Sequence, residues 1–253
     1  MKVKRWRKRI LWKRRFFRIL RLTLLSVTLL FSGYGIYNFL VYSTYFKIEK
    51  IRIEGNQEID RKDILSLLDI KKGDNIFKVK LRQAKRGLRS LKQIKDIDIH
   101  RDFPDKIVLK ITERVPIAQL EGRDSVHSNK VELIDKEGIT FLGEARDIPR
   151  ILGAKDSLKR KEVVNFLAKL MAVDFRFYKK ISYIDGNNPR KIKLKLDQTL
   201  LIWGPVGKET ETQLEKKLTY LNLVLHDLLK NSKTFNYLDL RFLREGKGEI
   251  IVG

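Results

Sequence analysis

The sequence predicts an α+β protein: one N-terminal transmembrane helix, a β-α-α-β-β unit, and a mixed β/α unit that ends in a strand able to lie at a sheet edge. Three observations predict this. Leu22–Phe46 runs 25 residues without a charge. A strand–helix–helix–strand–strand succession fills about 70 residues after it. From residue 117 onward, short strands alternate with two amphipathic helices. The chain therefore divides into a basic arm at 1–21, a span at 22–46, a first soluble unit at 47–116 and a second at 117–253.

At about 1.5 Å per helical residue, Leu22–Phe46 is long enough to cross a ~30 Å hydrocarbon layer. The arm before it holds 11 Lys/Arg and no acid, leaving 44 basic and 31 acidic residues for the rest of the chain. A basic arm against an apolar span is the positive-inside arrangement, so the N-terminus is expected to be cytoplasmic and the bulk of the chain extracytoplasmic. Trp6 and Trp12 suit the headgroup level. A nucleic-acid role for the arm is the weaker reading, because a basic run beside a span is usually a topology signal. Small residues follow at Ser32-Gly33-Tyr34-Gly35, but no Ala-x-Ala-like site is present and apolar character resumes at Ile36–Tyr42. That favours an uncleaved anchor over a signal peptide. Tyr37, Tyr42, Tyr45 and Phe46 would form its outer aromatic belt.

In the first soluble unit, Ile51 and Ile53 alternate with Lys50, Arg52 and Glu54, the pattern of a half-buried strand. Asp60 can cap a short helix carrying Ile64, Leu65, Leu67 and Leu68. Lys72-Gly73-Asp74-Asn75 is a turn, and a second helix carries Leu81, Ala84, Leu88 and Leu91. Ile97 and Ile99 mark a strand, Phe103-Pro104-Asp105 a hairpin turn, and Ile107, Leu109 and Ile111 one face of the returning strand. The exposed charges Lys85, Arg86, Arg89 and Lys92 on the second helix read first as a solvated face.

Four segments in this unit, Ile53-Glu54-Gly55-Asn56, Gly73-Asp74-Asn75-Ile76-Phe77, Phe103-Pro104-Asp105 and Glu113-Arg114-Val115-Pro116-Ile117-Ala118, occur in an order and spacing that resembles a POTRA domain. More narrowly, they resemble the POTRA domain of the FtsQ/DivIB family of bacterial cell-division proteins. Each segment is weak alone; their succession directly after one N-terminal span is more specific.

Beyond Pro116, strands are expected at Ala118–Glu121, Val131–Asp135 and Ile139–Phe141, and a loop at Ile148–Gly153. A helix is expected at 158–175, strands at Ile181–Ile184, Lys191–Leu196 and Thr199–Trp203, and a long helix at 208–230 with Leu214, Leu218, Leu221, Leu225 and Leu228 on one face. Strands at Phe235–Phe242 and Lys247–Val252 close the chain. The run Tyr237-Leu238-Asp239-Leu240-Arg241-Phe242 also resembles the family's closing motif.

Nothing in the sequence argues for catalysis, a cofactor or a metal. Cysteine is absent, which excludes thiol chemistry, thiolate metal sites and disulfides. Gly204-Pro205-Val206-Gly207-Lys208-Glu209-Thr210 has two residues between its glycines where a phosphate loop needs four, and Glu209 where Ser or Thr would bind magnesium. It reads as a turn and helix cap. His100, His127 and His226 show no metal-ligand spacing. Ser125 and Ser128 near His127 lack a nucleophile elbow. No small-molecule substrate is implied.

What remains is binding by surface. A closing strand at Lys247–Val252 that lies at a sheet edge can pair with a foreign strand; its bland alternative is a paired interior strand. The family resemblance implies that this strand receives a membrane-proximal partner of the FtsB/DivIC type, with FtsL-type single-span proteins and other divisome components as further partners. By the same resemblance, Tyr237, Arg241 and Phe242 flank the contact, and Glu249, Ile250, Ile251 and Val252 supply backbone bonds. Arg190 would meet an acidic partner residue, or is simply a solvated turn arginine. The role implied is a non-enzymatic divisome scaffold at the septum. The alternatives are a POTRA-bearing protein for polypeptide transport or assembly, and a membrane-anchored peptidoglycan enzyme. Residues 119–253 are too short, charged and helical for a transmembrane barrel, and the enzyme lacks a visible constellation.

Overall fold

The structure is a computed structural model describing residues 2–121, 130–153, 156–197, 199–207, 209–230, 235–243 and 250–253. It separates into two units, the first formed by residues 1–90 and 96–112, the second by 91–95 and 113–253.

The first unit opens on α1, Lys2–Tyr42. The basic arm is thus part of the same helix as the span, because Lys and Arg are good helix formers and no Gly, Pro or cap residue interrupts them. The stretch Phe16–Tyr42 is apolar and long enough to cross a membrane, and none of its most apolar portion is covered by the rest of the protein. A helix apolar on every side and uncovered by protein matches a lipid environment. It stops at Tyr42, short of Phe46. Ser43 adopts an extended conformation and its hydroxyl accepts from Tyr45 N–H, starting a one-turn 3₁₀ helix at Thr44–Phe46.

The POTRA-like elements follow in the expected order: β1 (Lys50–Glu54), α2 (Arg61–Leu68), α3 (Leu81–Leu88), β2 (Ile94–Asp102) and β3 (Lys106–Glu113). The sheet order is β1-β3-β2, with β1 parallel to β3 and Ile51 opposite Ile107. Ile64 and Leu68 of α2, Ala84 and Leu88 of α3, and Ile107, Leu109 and Ile111 of β3 are buried. Ile53 and Ile99, on the two outer strands, are only half-buried. Asp60 caps α2 by accepting from Lys62 N–H at 3.2 Å. After β1 the chain turns at Gly55, at φ +84°, where a Cβ would overlap the Ile111 carbonyl oxygen. Only glycine meets both conditions.

Among the described residues, the second unit is a nine-stranded mixed sheet with helices packed on it. Its strands are β4 (Pro116–Leu120), β5 (Lys130–Asp135), β6 (Thr140–Glu144), β7 (Arg150–Leu152), β8 (Ile181–Asp185), β9 (Ile192–Leu196), β10 (Thr199–Gly204), β11 (Tyr237–Asp239) and β12 (Ile251–Val252). They lie in the order β12-β11-β10-β9-β8-β7-β4-β5-β6. The helices are α4 (Ser157–Val173), α5 (Phe175–Lys179) and α6 (Glu211–Lys230). Val163, Leu167 and Leu170 of α4 and Leu214, Leu218 and Leu221 of α6 join Ile184, Leu194, Leu201 and Trp203 of the sheet in one core. Phe166 and Phe177 pack on Trp203, with ring centroids 5.4 Å and 6.3 Å away.

In the second unit, three elements also differ from the sequence expectation. Ile148–Gly153 contains a strand, β7, inserted in parallel between β4 and β8. Three residues are too few to show a period of two. The helix expected at 158–175 breaks at Asp174, which turns to an extended conformation and caps α5 by accepting from Phe177 N–H at 2.9 Å. The strand expected over Phe235–Phe242 shrinks to Tyr237–Asp239, so Arg241 and Phe242 sit in a turn. The Gly204–Thr210 segment is the turn and cap expected. Thr210 Oγ1 accepts from Gln213 N–H at 3.3 Å and Gln213 Oε1 from Thr210 N–H at 3.0 Å, a reciprocal capping box at the start of α6. Lys208 lies outside the described residues.

Candidate functional site: the sheet edge at β12

Among the described residues, β12 pairs only with β11 and forms one border of the large sheet. The ladder is built outward from the core. β10 is anchored through Leu201 and Trp203, both fully buried. β11 lies parallel to it, with Leu201 opposite Leu238. β12 runs antiparallel to β11, with Val252 opposite Leu238 and Ile251 opposite Asp239.

The hydrogen bonds fix which groups face outward. Gly253 N–H donates to Tyr237 O at 3.2 Å and Tyr237 N–H donates to Gly253 O at 3.1 Å, so these two residues form a hydrogen-bonded pair. In an antiparallel ladder such pairs alternate with non-bonded ones. Leu238–Val252 is therefore the non-bonded pair, and the N–H and C=O of Val252 point away from β11 toward the open edge. Side chains alternate too. Val252 shares a face with buried Leu238, and half-buried Ile250 packs against the same core. Ile251 lies on the opposite face with Asp239 and Tyr237.

A charged turn closes the end of β11. Asp239 is buried, and its carboxylate accepts from Arg241 Nε at 3.0 Å to both oxygens, from Nη2 at 2.6 Å and from the Arg241 backbone N–H at 3.0 Å. The guanidinium beside it holds the Asp239 carboxyl below its ordinary range despite partial desolvation, with Lys191 acting in the same direction. Conversely, the carboxylate raises Arg241 above its ordinary value. The guanidinium also lies 5.6 Å from the centre of the exposed Phe242 ring. Gly204, at the end of β10 with φ +103°, leaves room there, since a Cβ would stand 3.3 Å from Arg241 Cγ.

Behind the ladder is a polar trio that the sequence reading missed. Lys217 Nζ donates to Trp203 O at 2.9 Å and to Glu209 Oε1 at 3.0 Å, and lies 4.6 Å from the Trp203 ring centre. Trp203 Nε1–H donates to Glu209 Oε2 at 3.0 Å. Burial pushes the Lys217 pKa down, and Glu209 opposes that shift. The signal was present: Lys217 falls on the apolar stripe of α6, between Leu214 and Leu218.

The structure brings Tyr237, Arg241, Phe242, Ile250, Ile251 and Val252 to the same border region. Glu249 lies outside the described residues, as do His127, Ser125 and Ser128. Arg190 is exposed in the turn before β9, its backbone N–H donating to Asn188 Oδ1 at 3.0 Å. Two strands separate β9 from β12. Ile192 pairs with Gly204, which puts Arg190 near the end of the sheet where Arg241 lies. No group of three metal-ligating side chains occurs among the described residues.

Residues 46–114 match the family model described as POTRA domain, FtsQ-type, and residues 125–241 match the model described as Cell division protein FtsQ/DivIB, C-terminal. The chain belongs to the FtsQ/DivIB family. Among curated relatives, the cell division protein FtsQ of Rickettsia bellii is 33% identical over 131 residues, covering 51% of this chain and 47% of that protein. FtsQ of Rickettsia conorii is 29% identical over 204 residues, covering 78% and 69%. FtsQ of Syntrophotalea carbinolica is 34% identical over 115 residues, covering 44% and 39%. The FtsQ/DivIB match ends at residue 241, so β12 lies beyond the matched segment.

Proposed function

We propose that this FtsQ/DivIB-family chain is a non-enzymatic, single-span scaffold of the divisome. It sits in the bacterial cytoplasmic membrane with its N-terminus inside and both soluble units outside. At the septum it links early and late division proteins and helps to localise and control peptidoglycan synthesis. It binds FtsB/DivIC- and FtsL-type single-span proteins, and the contact is strand addition at β12. The observation that supports this most is the border position of β12 among the described residues, with the N–H and C=O of Val252 turned outward beside exposed Ile251. Backbone groups of that kind pair with an incoming strand, and flanking side chains select it.

Two measurements test the proposal. A fluorescent fusion should form a midcell ring and depletion should produce filaments; diffuse envelope staining with normal division would sink the divisome role. Deleting residues 246–253 should abolish co-purification of the FtsB/DivIC-type protein while circular dichroism stays near that of the full chain. If capture survives, the β12 edge is not the contact.

A further inference from the structure

We infer that the loop face of the POTRA unit bearing Phe77 and Phe103 rests in the outer headgroup layer of the membrane, so that the unit is docked on lipid and not merely tethered to it. This rests on the membrane-anchor reading above. Leu22–Tyr42 is uncharged, with Arg21 directly before it. At about 1.5 Å per residue this stretch matches the ~30 Å hydrocarbon thickness, which sets Tyr42 at the outer boundary.

From that boundary a continuous ladder of rings leads into the POTRA unit. Phe39, inside the span, lies 5.9 Å from Phe46; Phe46 lies 5.1 Å from Phe77; Phe77 stacks on Phe103 at 5.3 Å. Phe77 is 38% exposed and Phe103 55% exposed, although their neighbours Ile76 and Ile107 are fully buried. The two rings thus stand outside the unit's own core, in contact with a ring sequence that begins in the bilayer.

The loop is rigidly held in that place. Asn75 Nδ2 donates to the carbonyls of Leu40 and Val41 at 2.8 Å and 3.0 Å, satisfying groups at the end of α1 that the helix cannot satisfy itself. Arg101 donates to Ile76 O and Val79 O, both at 2.8 Å. The hairpin that carries Phe103 is tied to the chain just after the span, because Glu49 N–H donates to Asp105 O at 2.8 Å. Lys78 Nζ lies 4.8 Å from the Tyr42 ring centre, which puts a cation at phosphate depth. Exposed apolar rings such as Phe, set beside Lys or Arg, are the combination that seats a protein surface at the headgroup boundary.

The chain contains no cysteine, so single labels are unique. The full chain carrying Asp102→Cys, with a nitroxide attached, is reconstituted in vesicles of phosphatidylethanolamine and phosphatidylglycerol. Collisions with lipid-soluble oxygen and with an aqueous nickel chelate are then compared. Leu29→Cys serves as the span reference. Gln57→Cys, exposed in the turn beyond the far end of β1, serves as the aqueous reference. The Asp102 label should collide with nickel several-fold less than the Gln57 label, and Phe103→Ser, alone or with Phe77→Ser, should restore the aqueous value. A fully aqueous Asp102 label with a lipid-exposed Leu29 label overturns the docking and leaves the anchor standing. An aqueous Leu29 label overturns the anchor itself. A label shielded from both reagents indicates a protein neighbour and also overturns the assignment to lipid.

Discussion

The ammonium of Lys217 is held 2.9 Å from the carbonyl oxygen of Trp203 and over the face of the same residue's ring. One side chain of α6 therefore grips both the backbone and the side chain of β10, the strand on which β11 and β12 are stacked. The border strand β12 is two strands removed from this clamp, and its position depends on it.

Replacing Lys217 by Met should remove the clamp while keeping much of the packing volume. Glu209 and the Trp203 carbonyl lose a buried donor. We expect a loss of about 2–3 kcal/mol, below the cost of breaking a fully buried pair because Glu209 is partly exposed. Thermal unfolding of the detergent-solubilised chain, followed by circular dichroism, reads this; an unchanged midpoint would count against the clamp.

Val252→Pro and Ile251→Pro should behave differently at the proposed contact. Val252 directs its N–H outward, so proline there removes a bond to a partner strand while sparing the β11 ladder. Capture of an FtsB/DivIC-type protein is expected to weaken about tenfold, as for one lost hydrogen bond. Ile251 faces β11, so proline there should loosen β12 itself and raise amide exchange at Tyr237 and Asp239. Equal affinity for Val252→Pro and the parent would remove the strand-addition geometry.

Tyr178 supplies an alkaline limit. Its phenol is buried, donates to Ile117 O at 2.8 Å, and is pushed up to about 12 by desolvation, from an ordinary 10.0. The folded-state value is raised, so its contribution is complete below pH 10 and is lost as pH rises toward about 12, where the unfolded chain releases the proton first. Two pK units correspond to about 2–3 kcal/mol. Stability curves across this range should fall more steeply for the parent than for Tyr178→Phe.

The Asp239 carboxyl has the opposite sign. Its folded-state value is lowered by Arg241, so its contribution is present above an ordinary 3.8 and lost as pH falls through the depressed value. In Arg241→Gln the Asp239 resonance should titrate at higher pH than in the parent, by carbon-detected NMR. An identical titration in both would show that the fork does not act in solution.

Gly55→Ala should damage the POTRA unit specifically. The added methyl meets backbone, the Ile111 carbonyl oxygen, and the positive φ is unfavourable as well. A loss of about 2–4 kcal/mol is expected. Hydrogen exchange should rise across β1 and β3 and stay unchanged across β8 and β9.

Much of the fold was legible in the sequence because its signals are local. The uncharged run Leu22–Phe46 needs only composition, although the helix itself ends at Tyr42. The alternation at Ile51 and Ile53, the cap at Asp60 and the turn and cap at Gly204–Thr210 each act within a few residues. β7 and β12 were harder to delimit, since two or three residues carry no period and become strands only through neighbours far along the chain. Part of the site was legible as well. Resemblance singled out Arg241 and Phe242, but as strand residues; the fork onto Asp239 ends β11 before them.

By itself, the sequence determined the long apolar N-terminal helix, the order of elements and the family, because hydrophobic length, periodicity and short motifs are properties of neighbouring residues. Only the tertiary structure decided that β12 is a border strand, that Val252 faces outward, and that Lys217 is buried over Trp203. Each of these depends on which distant segment supplies the hydrogen-bond partner, and strand pairing and burial are settled only when the sheet is assembled.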